Sequence, residues 1–382
     1  MRITDVETIV FKYKSTTAPD SAGHGHPAPE HDAQQTLTKI VTDEGADGYC
    51  FGGNKETNDR IVKPALVGEN PLDRERIWHY FYRHLQGSRG GRLNDRQLAV
   101  IDMALWDFAG RYLNQPIFRL LGGYREKVRA YGSTMCGDEL EGGLNTPEAY
   151  GRFAETLVKR GYPAIKLHTW MPPIKWAPDL EMDVAACKAI REALGDDVPL
   201  MLDCYHCYTR EEALYIGREL EKLNYYWIEE PMDEHNISSY VWLTEKLKIP
   251  VVGPETVEGK LWTRAEWIVR GAADIIRGGV MDVGGITPLM KIVHLCEAFG
   301  MKLEIHGAGA GNLHVLGAMS IPGEYYERGL LHPFIDYEKP APWLREVVDP
   351  MDGEGYVRIP QRPGLGLEIN WDYIEENIVN TE

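Results

Sequence analysis

PLMLD (199–203), YWIE (226–229) and VVGPE (251–255) decide how this chain reads. Each is a short apolar run that closes on a carboxylate, and Asp203, Glu229 and Glu255 stand two equal intervals of 26 residues apart. A helix-like stretch follows each run. In a repeating β/α chain, equal spacing brings equivalent strand ends to one rim. Carboxylates on one rim repel, and two of them about 4 Å apart cost on the order of 4 kcal/mol at an effective dielectric of ~20. A hard divalent cation removes that cost, and an oxygen donor set selects Mg2+ or Mn2+ over zinc. The expected chemistry is that of a metal-dependent enzyme.

The alternation continues outward in both directions. Val128–Ser133 and Ala164–His168 read as strands before the three runs; Asp274–Arg277, Lys302–His306 and Tyr325–Glu327 read as strands after them. Thr146 followed by Pro147 starts a helix, and Gly161 follows its end. Val184, Cys187, Arg191 and Leu194 recur at helical spacing before Gly195 stops the stripe. Eight strands over about 215 residues suit a slightly shortened β/α barrel. Upstream, Thr36–Thr42 and Asp47–Phe51 are strand-like runs joined by DEGA, a hairpin or meander signal. Leu98, Ile101, Leu105, Phe108 and Tyr112 form one apolar stripe on a helix from about Asn94 to Leu113 (with Asn94 as N-cap). The expected organisation is α/β: an N-terminal α+β unit over 1–126, a barrel over 127–340, and a tail over 341–382 that packs back on the first unit.

The 382 residues carry 58 acidic and 41 basic side chains, a net charge of −17. That field argues against nucleic acid and anionic membranes as partners. No run reaches the ~18 apolar residues of a membrane span, and the N-terminus lacks a secretory pattern, so the cytoplasm is the expected compartment. Six cysteines are too sparse for a disulfide framework. Cys204 and Cys207 form a CxxC with no second pair, which reads as two plain thiols beside a strand end. Gly307-Ala-Gly309-Ala-Gly311-Asn312 misses the dinucleotide spacing because Asn312 replaces the last glycine.

Strand parity selects the inward side chains. Lys166 and His168 share a face, as do Met201 and Asp203, and Glu304 and His306. Glu229 and Glu230 cannot both point inward, so one is a ligand and the other stands behind it. Barrel active sites lie at the C-terminal strand ends. Lys166, His168, Asp203, Glu229, Glu255, His306 and Glu327 all fall there.

IDMALWDFAG (101–110) followed by PIFRLLGG (116–123) resembles the linker helix of the enolase superfamily, and within it the mandelate racemase-like branch. TDEGADGY (42–49), WIEEP (227–231), DVGGITP (282–288) and PGLGLEIN (363–370) resemble the same branch, in the expected order along nearly the whole chain. The resemblance implies an α+β capping domain, built from the N-terminal unit and the C-terminal tail, over a modified (β/α)7β barrel. It implies Mg2+, with Mn2+ as the alternative, on Asp203, Glu229 and Glu255. It also implies removal of the proton next to a carboxylate and an enediolate intermediate, a chemistry for which this superfamily is a worked case in general enzymology.

Relatives often carry Lys-x-Lys on the second strand. Here the strand ends Lys166-Leu-His168, so Lys166 matches the first lysine and His168 stands at the base position, where a histidine serves as base or acid. His306 matches the seventh-strand histidine, which usually pairs with an Asp on the sixth. Gly279 occupies that Asp position, so the dyad is expected to be broken, with Asp282 three residues too far along. His306 is then the expected general acid. Tyr205 is a candidate for substrate contact, and His206 for substrate contact or as a spare acid. Glu327 matches a glutamate that, protonated, hydrogen-bonds the enediolate oxygen in some relatives. Residues 15–35, with His24, occupy the mobile specificity loop of the cap, and 169–178, with Trp170 and Lys175, form a pocket wall. The expected activity is dehydration of a sugar acid (aldonate or aldarate) to a 2-keto-3-deoxy acid. The alternative is a racemase or epimerase of a 2-hydroxy or sugar acid, ranked lower because the broken dyad weakens one of the two bases that reaction needs. The expected partner is a small carboxylate, and relatives commonly form homo-oligomers, dimers or octamers.

Overall fold

The computed structural model describes residues 1–21, 24–86, 93–321 and 323–379. Strands β1 (Ile3–Pro19) and β2 (Gly25–Thr42) form a long antiparallel hairpin, and β3 (Gly48–Phe51) adds to β2. Most of the segment expected as a mobile loop is therefore paired backbone. The ladder runs from Ile3 opposite Thr42 to Pro19 opposite Gly25, with a shift between Ser15 and Thr17. Period-2 alternation in the outer hairpin is weak because it faces little core, and so the sequence gives no strand signal there.

The helix Asp95–Tyr112 joins cap, barrel and tail. Asn94 caps it reciprocally with Gln97. Leu98, Ile101, Leu105 and Phe108 are buried, as expected, while Tyr112 at the end of the stripe is exposed; two carboxylates are buried as well. Asp107 accepts the amides of Tyr49 on β3 (2.8 Å) and Leu365 in the tail (2.7 Å), while Asp102 accepts the amide of Thr287 in the barrel (2.9 Å). Each satisfies backbone donors that burial would otherwise leave unpaired. The tail also buries Ile369 and Ile374 against Phe11 and Leu37 of the hairpin.

Eight parallel strands close the barrel: β4 (Lys127–Thr134), β5 (Ile165–His168), β6 (Leu200–Asp203), β7 (Trp227–Glu229), β8 (Val251–Val252), β9 (Ile275–Gly278), β10 (Lys302–Ile305) and β11 (Tyr325–Leu331). Each pairs with the next, and β11 pairs back with β4; β12 (Tyr356–Arg358) adds antiparallel to the start of β4. The first three helices between the strands are capped by side chains, the earliest at the Thr146 that its sequence marks. Thr146 caps Pro147–Lys159, Asp179 caps Leu180–Leu194, and Thr209 and Glu212 form a capping box on Arg210–Lys222.

Parity builds the interior in layers. Tyr131, Met201, Trp227, Val252, Ile275 and Tyr325 form an apolar plug inside the barrel. Two residues further along each strand, on the same face, Met201 gives way to Asp203, Trp227 to Glu229, Ile275 to Arg277 and Tyr325 to Glu327. The charged layer thus sits on an apolar floor, toward the C-terminal rim.

Candidate active site at the barrel mouth

Register places the carboxylates. Asp203 is level with His168 on one side and Glu229 on the other, and Glu229 is level with Val252, three residues before Glu255. All three carboxylates are buried. The Glu255 loop is pinned from both sides. Glu234 accepts the amides of Glu255, Thr256 (2.7 Å) and Val257 (2.8 Å), while Arg264 donates to the carbonyls of Pro254 (2.9 Å) and Glu255 (2.6 Å).

Two buried cations hold the acids together. Lys166 Nζ lies 2.8 Å from Asp203 Oδ2, 3.0 Å from Glu229 Oε2 and 2.9 Å from Glu327 Oε1. Arg277, which is not among the residues expected at the site, contacts Glu229, lies 3.2 Å from Glu255 Oε2 and donates to Glu327 Oε2 at 2.7 Å. The signal was its parity with Ile275, but an arginine at a strand end ordinarily reaches solvent. Burial alone would raise Asp203, yet Lys166 and His168 outweigh it and hold that carboxyl well below its usual range. Burial pushes Glu255 well above its usual range even though His306 and Arg277 oppose it. Glu327 departs from the expectation of a protonated donor. Lys166, Arg277 and the Gly307 amide (2.8 Å) outweigh burial and hold it ionised.

The two imidazoles flank the carboxylates from opposite sides of the barrel. His168 Nδ1 lies 2.8 Å from the Thr134 carbonyl, which only accepts, so Nε2 is the atom turned to the mouth, 2.9 Å from Asp203 Oδ2. His306 Nε2 lies 3.2 Å from Glu255 Oε1, and its Nδ1 lies 2.7 Å from Asp282 Oδ2. The expected broken dyad is corrected by this contact. Gly279 starts a single helical turn, Val280–Val283, so residue 282 returns to the face of residue 279. Asn312 stitches that turn in place, accepting the Val280 amide (3.0 Å) and donating to the carbonyls of His306 (2.7 Å) and Gly307 (2.8 Å). A side chain at Gly279 would press into the His306 carbonyl and sit 2.7 Å from Asp282 Oδ2. Burial opposes charge on His306, but Asp282 and Glu255 raise its pKa to about 10.

The remaining candidates divide. Tyr205 donates its amide to Asp203 Oδ1 (3.2 Å), and the ring of His24, at the hairpin tip, stands edge-on to it with centroids 4.0 Å apart. The cap therefore reaches the mouth through His24, which Asp20 orients by accepting its amide (3.0 Å). Trp170 offers no free face: it is 1% exposed, gives its indole hydrogen to the Asp138 carbonyl (3.2 Å) and packs edge-on against Tyr150. It supports the pocket wall instead of touching substrate. Lys175 is exposed. Glu230 turns away from Glu229 through a left-handed backbone (φ +32) toward His206. Cys204 and Cys207 are free thiols.

The donor set fits a hard divalent cation. The donors of Asp203, Glu229 and Glu255 are all carboxylate oxygens in one buried cluster, and burial together with the neighbouring Glu229 charge pushes Glu255 up, a cost that a hard divalent cation relieves.

Residues 149–373 match the family described as enolase C-terminal domain-like. The chain belongs to the enolase superfamily. Residues 23–122 match the mandelate racemase/muconate lactonizing enzyme N-terminal domain. This enolase-superfamily chain is 55% identical to D-glucarate dehydratase from Agrobacterium tumefaciens, whose crystal structure is complexed with magnesium, with both chains covered in full and a TM-score of 0.97. It is 34% identical over 367 residues to arabinonate dehydratase from Saccharolobus solfataricus, covering 91% of each chain. It is 32% identical to D-galactarolactone cycloisomerase from Agrobacterium fabrum, covering 98% of each. Among the described residues no helix is long and apolar enough to cross a membrane.

Proposed function

We propose that this chain is a Mg2+-dependent hydro-lyase that removes water from a sugar acid, with a six-carbon diacid such as D-glucarate as the first substrate to try. The observation that carries it is the placement of His168 and His306 on opposite sides of the Asp203–Glu229–Glu255 cluster. The choice of substrate rests on the 55% identity to D-glucarate dehydratase over the full length of both chains.

Asp203, Glu229 and Glu255 would hold Mg2+, which when bound supplies positive charge against the anion that develops on the substrate carboxylate. His168 Nε2 takes the α-proton, with the ring set by the Thr134 carbonyl. His306, charged and oriented by Asp282, gives its Nε2 proton to the β-hydroxyl as the C–O bond breaks and water leaves. The resulting enol takes up a proton at carbon and becomes the 2-keto-3-deoxy acid. Tyr205 and His24 line the cap side and would contact the hydroxyls of the chain.

The restored dyad removes the sequence argument against racemisation. Two oriented imidazoles on opposite faces suit a racemase or epimerase as well, and that is the second reading. Incubation of the Mg2+-loaded protein with D-glucarate in D2O separates the two. Keto-acid formation is expected; recovered diacid carrying α-deuterium with no keto product would overturn dehydration. We also take 1–126 with 341–382 as the cap and 127–340 as the barrel, and a homo-oligomer, dimer or octamer, as the working assembly, which light scattering would measure.

A further inference from the structure

Glu230 is 1% exposed, yet its Oε2 receives no hydrogen-bond donor. It lies 3.3 Å from His206 Nε2. The Nδ1 of that ring lies 3.2 Å from the Met232 carbonyl, which only accepts, so the ring hydrogen belongs on Nδ1 and Nε2 presents a lone pair. Glu234 brings a third donor, and the three ligand atoms lie within 4.8 Å of one another. The Thr256 hydroxyl lies 3.0 Å from His206 Nε2 and 3.1 Å from Glu234 Oε2 but has one hydrogen to give, so lone pairs outnumber donors in this half-buried acidic corner, and Nε2 and Glu230 Oε2, 3.3 Å apart, repel unless positive charge sits among them. That charge is either a proton or a metal ion.

We propose that Glu230, His206 and Glu234 form a second divalent-cation site beside the triad, selective for Mn2+ over Mg2+. A carboxylate pair with one imidazole suits a first-row ion, and an imidazole ligand is ordinarily backed through its other nitrogen by a carbonyl, as Met232 backs His206 here. Glu234 Oε1 accepts a single amide, that of Glu255, and so keeps a lone pair for an ion. A proton would neutralise one carboxylate; an ion would also join the loop after β6, which carries His206, to the segment after β7, which carries Glu230 and Glu234. The proposal stands apart from the dehydratase reading, because it concerns binding and not turnover.

The test is Mn2+ titration of the chelator-stripped full chain by calorimetry and electron paramagnetic resonance, with far-UV circular dichroism to verify folding of each variant. Two ions per wild-type chain are expected, falling to one in Glu230→Gln and in His206→Asn. Asp203→Asn is expected to lose the other ion and keep this one. A single wild-type ion that survives Glu230→Gln and His206→Asn overturns the second site and leaves a proton between the pair. A single ion that survives Asp203→Asn and vanishes in Glu230→Gln upholds this site and overturns the triad reading instead. No ion in the wild type overturns both.

Discussion

Asp282 Oδ2 lies 2.7 Å from His306 Nδ1, although Asp282 stands three residues beyond the position from which this histidine is usually supported. One helical turn and one asparagine make up the difference. Removing the carboxylate charge in Asp282→Asn should lower kcat by about 100-fold, the lower end of what a positioned acid contributes, with little change in KM. Asp282 raises His306, and His306 must be protonated to act. Its loss should therefore move the alkaline limb of the pH–rate profile to lower pH. An unmoved limb would mean that His306 is not the acid.

Gly279→Asp places a carboxylate at the usual position, but the space is taken by the His306 carbonyl and Asp282. The variant should lose stability by about 1–3 kcal/mol from overpacking, measured by urea unfolding, and should not rescue Asp282→Asn.

His168 and His306 should separate in isotope exchange. His168→Asn should abolish both α-deuterium incorporation and keto-acid formation, each by about 1,000-fold. His306→Asn should lose keto acid while the diacid still exchanges its α-hydrogen, because His168 is untouched. Nuclear magnetic resonance of the recovered substrate reads both.

Arg277 is fully buried among Glu229, Glu255 and Glu327. Arg277→Gln leaves those carboxylates with less compensation and should cost about 3–5 kcal/mol in denaturant unfolding. Mg2+ at about 100 times its dissociation constant should return about 2.7 kcal/mol to the wild type, and nothing to Asp203→Asn. Equal stabilisation of both by Mg2+ would place the ion elsewhere.

His314, on the helix Ala310–Ala318, is fully buried against Phe118, whose amide donates to its Nδ1 (3.2 Å). Burial lowers its pKa from 6.5 to about 4. The neutral form is favoured in the folded state, so the unfolded chain binds more protons between those values. Stability should be full above about pH 6.5 and fall by roughly 3 kcal/mol as the pH drops to about 4. Thermal melts across that window should show a smaller slope in His314→Gln.

The readable features were those with a period or an interval. Equal intervals placed Asp203, Glu229 and Glu255; parity put Lys166 beside His168; the helical stripe and Asn94 marked the Asp95–Tyr112 helix. Contacts between elements carry no such signal. Nothing local marks Arg277 as buried, Lys166 and Arg277 reach Glu327 from other strands and hold its carboxyl low against burial, and Trp170 faces Tyr150 and Asp138. The outer hairpin carries no strand pattern of its own; pairing between its two arms holds it extended.

The amino-acid order by itself determined which strands form the barrel and which side chains face its axis, because side-chain direction alternates within a strand and needs no distant partner. Only the tertiary structure decided what those groups do to one another. Whether Glu327 is charged depends on Lys166 and Arg277 arriving from other strands, and whether His306 has a carboxylate depends on how one turn of helix is stitched by Asn312. Coulomb energies and hydrogen bonds in a buried site are set by distances across the barrel, which residue order does not encode locally.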